Sequence, residues 1–158
     1  MNVSWLNCFL DAALSVFHQV TGEPLALGVP ALAHSNALLE PVGVLMGVTG
    51  ALRGHVLFGF ERAAAETVAA RMLGTTHAVL DELGKSALGE LANIALGNAL
   101  MQLAEQGWRC DICPPAIIVG QLVEITGAVP RFIAVPLTSS LGGARLSIGL
   151  RECAAPSG

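Results

Sequence analysis

The sequence predicts an α+β protein, an antiparallel sheet covered by helices, on three observations. Two stretches, one near the N-terminus and one from Leu83 to Gln106, carry apolar residues at helical spacing, and a third is Ala-rich and stopped by a glycine. Val-, Leu- and Gly-rich runs come in consecutive pairs joined by short turns, the pattern of β-hairpins. Strands and helices do not alternate in the βαβ manner that builds a parallel sheet. The 158 residues are one domain's worth, residues 1–153 followed by a tail at 154–158. A chain of this length buries about two thirds of its unfolded surface, so no second domain is needed.

Trp5, Phe9, Ala12, Ala13, Val16, Phe17 and Val20 recur at helical spacing, so Ser4 to Val20 reads as an amphipathic helix that Thr21-Gly22-Glu23-Pro24 ends. Leu25 to Leu39, with Gly28-Val29-Pro30 inside it, reads as a short strand and an irregular link. Glu40 to Val48 and Leu52 to Phe60 form a hairpin around Thr49-Gly50-Ala51. Glu61 to Leu73 is a helix with Gly74 as its C-terminal stop. Thr75 to Leu80 leads into the long helix, whose opening Asp81 and Glu82 suit the positive end of the helix dipole and which Gly107 closes. Beyond Pro114-Pro115, Ile117 to Ile125 and Arg131 to Ser139 read as strands. Ala144 to Arg151 is the last, with Leu141-Gly142-Gly143 as the turn before it, and Ala154 to Gly158 is a loose end.

Composition narrows the function classes. The chain is 53% hydrophobic and only 13% charged, yet its longest charge-free apolar runs, Pro41 to Leu52 and Leu91 to Ala104, fall short of the ~20 residues a membrane span requires. A subunit interface is the economical home for the excess apolar surface, which predicts a homodimer. Net charge is −4 and the basic residues are dispersed, which excludes a nucleic-acid-binding patch. The N-terminus lacks a basic n-region and meets Asp11 early, so it is no signal peptide and the expected location is the cytoplasm.

Cys8, Cys110, Cys113 and Cys153 are too few and too unevenly spaced for a secreted disulfide framework. Cys110 and Cys113 have C-x-x-C spacing, but a thioredoxin-like pair needs a helix N-terminus, and Pro114-Pro115 directs the chain into an extended path. A zinc knuckle needs a second pair, and His18, His34, His55 and His77 are scattered singly. The pair reads as two small residues in a short strand.

The chemistry concentrates on the long helix. At 100° per residue, Glu82, Ser86, Gly89, Glu90, Asn93 and Gly97 fall within an arc of about 100°, while Leu83, Leu88, Leu91, Ile94, Ala95, Ala99 and Met101 cover most of the rest. This predicts a helix buried on most sides with one narrow polar window. Gly84, Gly89 and Gly97 each cost about 1 kcal/mol relative to Ala, so something other than helix stability is expected to account for them. A window trimmed to Ser and Gly lets another surface approach Glu90 and Asn93, which are about 5 to 6 Å apart at Cβ and share one target. No histidine stands on that face to activate Ser86, and carboxylates are not clustered for a two-metal site. A carboxylate and an amide remain, suited to completing the active site of another protein.

Ser86-x-x-x-Glu90-x-x-Asn93, followed by Cys113-Pro114-Pro115-Ala116-Ile117-Ile118-Val119-Gly120, resembles the CheC/CheX/FliY family of chemotaxis phosphatases. VTGALRGHVLF from Val48 to Phe58 and ARMLG from Ala70 to Gly74 fit too, in family order across most of the chain. The resemblance implies a CheC-like α+β fold with two pseudo-symmetric halves. It also implies a protein phosphatase acting on the aspartyl phosphate of a CheY-like response-regulator receiver domain. The partner would supply Mg²⁺ and a lysine, with no cofactor held by this chain. Asn93 would orient the attacking water and Glu90 would pair with the partner's lysine, the two catalytic positions. Ser86, Gly89, Gly97, Pro114 and Pro115 would meet the partner, the proline pair also stiffening the exit from the helix. Aligning Asp11 with Glu90 puts Leu14 where Asn93 would be, so the first helix reads as a degenerate copy, and the single E-x-x-N favours the one-site CheX type. The rival classes are a non-catalytic module that docks a receiver domain or flagellar switch component, and a thiol or metal protein using Cys110 and Cys113.

Overall fold

Local caps fix where the helices begin and end. The computed structural model describes residues 2–33, 37–38, 40–120, 123–124 and 131–153. Helix α1 (Val3–Thr21) opens at Asn2, whose side chain accepts the Ser4 N–H at 2.9 Å, and closes at Gly22 with φ 76°. Helix α2 (Arg62–Leu73) ends at Gly74 with φ 69°. Helix α3 (Glu82–Glu105) opens at Asp81, whose carboxylate accepts the Gly84 N–H at 2.9 Å. All three fall within one or two residues of the predicted spans: Asn2, Gly22, Gly74 and Asp81 mark four of the six ends, while Glu61 starts α2 without a side-chain cap.

The described residues also form ten strands: β1 (Ala26–Leu27), β2 (Ala31–Ala33), β3 (Ala37–Leu38), β4 (Val42–Gly50), β5 (Leu52–Phe60), β6 (Cys110–Ile112), β7 (Ala116–Val119), β8 (Val123–Glu124), β9 (Phe132–Ser139) and β10 (Gly142–Glu152). The main sheet runs β1-β9-β10-β5-β4-β6, with β2 also on β9 and β7 also on β4, and β3 pairs separately with β8. Every pairing is antiparallel. Exchanging β4 with β9, β5 with β10, the β1/β2 pair with the β6/β7 pair and β3 with β8 maps this order onto itself. The halves are therefore pseudo-symmetric: each has a helix, short strands and a long hairpin, and each lends its short strands to the other's hairpin. The hairpins meet at the centre, where Val56 lies opposite Ile148.

The structure corrects three strand predictions. Leu25 to Leu39, expected as one short strand and an irregular link, holds β1, β2 and β3, each drawn into extended form by a partner in the second half of the chain. Ile117 to Ile125 is not one strand: β7 pairs with β4 and β8 with β3, so the chain changes partner after Val119, and part of the predicted span lies outside the described residues. The final turn is Ser140-Leu141 in place of Leu141-Gly142-Gly143, and β10 starts at Gly142, two residues before the predicted Ala144. The start of α2 holds it there, since Gly143 N–H donates to the Glu61 carboxylate at 3.1 Å and Glu61 N–H donates to the Gly143 carbonyl at 3.1 Å. The predicted loose tail at 154–158 lies outside the described residues.

The helices and the sheet share one core. Val42, Val44, Met46 and Val48 on β4 and Leu146 and Ile148 on β10 are buried with Leu88, Leu96 and Leu103 of α3. Truncating one of these leucines to Ala costs about 2 to 5 kcal/mol, so α3 is held as a stiff rod. The start of α1 meets the end of α3: the Trp5 and Trp108 rings pack edge to face at 5.4 Å, and the Gln106 amide donates to the Cys8 sulfur at 3.3 Å. Among the described residues, no helix is long and apolar enough to cross a membrane.

Candidate functional site

Burial along α3 decides which side chains are available for chemistry. Ser86, Glu90 and Asn93 are exposed, one helical turn apart in succession, over a helix whose opposite side is buried at Leu88, Leu91, Ala92, Ala95, Leu96 and Ala99. Among the described residues neither Glu90 nor Asn93 enters a side-chain hydrogen bond or an ion pair. Each keeps its full hydrogen-bonding capacity, two acceptor oxygens for the carboxylate and an acceptor plus two donors for the amide. Lys85, the only cation on α3, is tied to Glu82 at 3.6 Å.

The three helix glycines have three different surroundings. Gly84 is buried where a Cβ would run into the Val79 carbonyl, so its role is to let the preceding loop close over the start of α3. Gly89 is also buried: a Cβ there would lie 3.3 Å from Cγ of Pro115 and 3.5 Å from Cδ1 of Ile117. Gly89 therefore seats Pro115 against the helix instead of facing a partner itself. Gly97 meets nothing within 4 Å and leaves a notch in the open face. Pro114 is exposed and Pro115 half-buried, so the proline pair borders the flank of α3 that carries Asn93, four residues beyond Gly89.

The exposed arc differs from the predicted window. Leu83, Ile94 and Met101 are 63%, 37% and 62% exposed, although their residue types read as core. On the wheel Glu90 lies about 20° from Leu83 and Met101, closer than it lies to Asn93, so an exposed Glu90 brings these apolar neighbours to the surface with it. That angular relation was the signal available in the sequence. The opposite edge of the window, at Gly89, is the edge that Pro115 covers.

The other candidates stay apart from this face. Asp11 is exposed on α1 and Leu14 half-buried, so no amide stands three residues beyond that carboxylate, where Asn93 stands beyond Glu90. Cys110 pairs with Gly50 in β6, and Cys113 follows it, donating its N–H to the Gly47 carbonyl at 2.9 Å. Both thiols are free and lie on an extended path. Among the described residues no three His, Cys, Asp or Glu side chains stand close enough to hold a metal ion.

The model of the family described as chemotaxis phosphatase CheX matches residues 42–138, a stretch that contains both long hairpin strands of the first half and all of α3. The chain belongs to the CheX family. It is 29% identical over 126 residues to the CheY-P phosphatase CheX of Thermotoga maritima, covering 79% of this chain and 81% of that protein. The crystal structure of a CheC-like superfamily protein from a Shewanella species superposes with a TM-score of 0.85 at 28% identity, over 96% of this chain and 99% of that one. The CheX in the CheX–CheY–BeF3–Mg²⁺ complex from Borrelia burgdorferi gives a TM-score of 0.78 at 26% identity, over 94% and 98% of the two chains. The CheX fold in this chain is thus an α+β, antiparallel arrangement that presents Glu90 and Asn93 on α3.

Proposed function

We propose that this protein hydrolyses the aspartyl phosphate of a CheY-like response-regulator receiver domain, with Glu90 and Asn93 inserted into the partner's active site. The observation that carries the proposal is the free exposure of these two side chains one turn apart on a rigid helix. Water attacks phosphorus in line with the bond to the aspartyl oxygen; that bond breaks, giving inorganic phosphate and the aspartate carboxylate. Asn93 accepts a hydrogen bond from the water and donates one to a neighbouring oxygen, which fixes the direction of attack without exchanging a proton. Glu90 pairs with the partner's lysine and sets the register in which the amide arrives.

The partner brings the phosphoryl group and its Mg²⁺. The Borrelia relative supports this division, since its complex holds CheY together with Mg²⁺ and BeF3, a group with the shape and charge of a phosphoryl. The name of the Thermotoga relative supports the reaction. The same function puts the protein in the cytoplasm, where it meets the receiver. Exposed Leu27, Val29 and Leu32 along the β1–β2 edge support the homodimer.

A receiver domain charged with acetyl phosphate provides the test. Purified protein should accelerate its loss of phosphate catalytically, each molecule turning over many partners. Binding of the phosphorylated receiver without acceleration would leave a docking module in place of an enzyme.

A further inference from the structure

The outermost line of α3 is apolar at both ends and charged in the middle. Leu83, Ile94 and Met101 lie within about 20° of one another around the helix, and Glu90 lies beside them. At 1.5 Å per residue, Leu83 stands about 10 Å before Glu90, and Met101 about 12 Å beyond Asn93. The whole line spans about 27 Å. A standard protein interface covers about 800 Å² on each partner, a patch about 30 Å across. Any folded domain that reaches both Glu90 and Asn93 therefore lies over Leu83 and Met101 as well. Gly97 deepens the fit between Ile94 and Met101, where an added Cβ would meet nothing in this chain.

A second copy of this chain is the wrong occupant for this line. Two-fold pairing about the middle of this line would set each Glu90 opposite Ile94 and bury both carboxylates in one interface, to which the helix brings a single cation, Lys85, itself beside Glu82 at 3.6 Å. A partner that brings its own positive charge to Glu90 removes that conflict.

We propose that Leu83, Ile94 and Met101 are the anchors that seat the phosphorylated receiver domain on α3 and set its affinity, leaving Glu90 to fix the register and Asn93 to place the water. This rests on the phosphatase function proposed above. Interface energy is concentrated in a few desolvated side chains, and apolar residues flanking the reactive pair are placed to supply it without touching the chemistry.

The test is steady-state hydrolysis of an acetyl-phosphate-charged receiver domain by Leu83→Gln, Met101→Gln and the double variant, with Val3→Gln, 68% exposed as the first residue of α1 and off the α3 line, as control. Gln keeps helix propensity, and the replaced side chains are already solvated, so melting curves should coincide with wild type. Each single variant should raise KM about tenfold, equivalent to about 1.4 kcal/mol, with kcat within about twofold, and the double variant should raise it about a hundredfold. An unchanged KM in active variants would overturn the anchor assignment and leave the phosphatase function standing. A fall in kcat at constant KM, or a change in oligomer size with unaltered KM, would overturn it equally. Wild-type protein without effect on the phosphorylated receiver would bring down the function itself.

Discussion

Replacing each α3 glycine by Ala separates the roles that burial assigns to them. All three substitutions carry the same helix-propensity gain, about 1 kcal/mol, so differences among them report the surroundings. At Gly97 nothing lies within 4 Å of the added methyl, and the whole gain should appear as stability. For a domain of this size that raises the melting temperature by about 2 to 4 °C. At Gly89 the methyl would lie 3.3 Å from Pro115, tight enough to offset most of the gain, and the variant should stay within about 1 kcal/mol of wild type. At Gly84 the methyl meets the Val79 carbonyl, and overpacking against backbone should destabilise by about 1 to 3 kcal/mol. Urea denaturation gives the three values. The functional order is different: Gly97→Ala should bind a phosphorylated receiver domain about tenfold more weakly, because the methyl fills a notch that only a partner would occupy. A stabilised fold with weakened binding is the signature of a residue kept for an interface. Equal stability shifts at all three positions, or a Gly97→Ala protein with undiminished affinity, would refute the reasoning.

Removing the cap of α3 in Asp81→Ala should cost about 1 kcal/mol by urea denaturation, since the Gly84 N–H loses its acceptor. His55 packs against Phe132 with ring centres 4.8 Å apart and planes tilted by 45°, and burial pushes its imidazole below the ordinary value of 6.5. Below that pH the unfolded chain takes up the proton before the folded one, so this contribution to stability is flat above about pH 7 and is lost as pH falls through 6.5 toward the folded-state value. His55→Gln should flatten that part of the stability–pH curve, and an unaltered slope would show that another group causes it.

Much of the fold was legible because its boundaries are chemical. Asp81, Gly22, Gly74 and Gly50 mark ends that local sequence can specify, and the β4–β5 hairpin is legible as two apolar Val-, Leu- and Gly-rich runs joined at Thr49-Gly50-Ala51. The split between β7 and β8 was not legible, because which of two distant strands an edge segment joins depends on the pseudo-symmetric exchange between halves. At the site, Glu90 and Asn93 stand exposed on the predicted helix. Leu83, Ile94 and Met101 read as core in the sequence because an apolar side chain that awaits a partner looks the same there as one that is buried. Gly89 reads as part of the window for the converse reason: its wheel position is polar-side, and only the path of Pro115 reveals that it is covered.

The phosphatase function turns most directly on single-turnover phosphate release, with Asn93→Ala compared with wild type at protein concentrations that saturate the phosphorylated receiver. The amide's part in placing water predicts release slowed by about 10² to 10³, with the dissociation constant of the phosphorylated complex within about twofold of wild type. Release at the wild-type rate from the Asn93→Ala complex would contradict it.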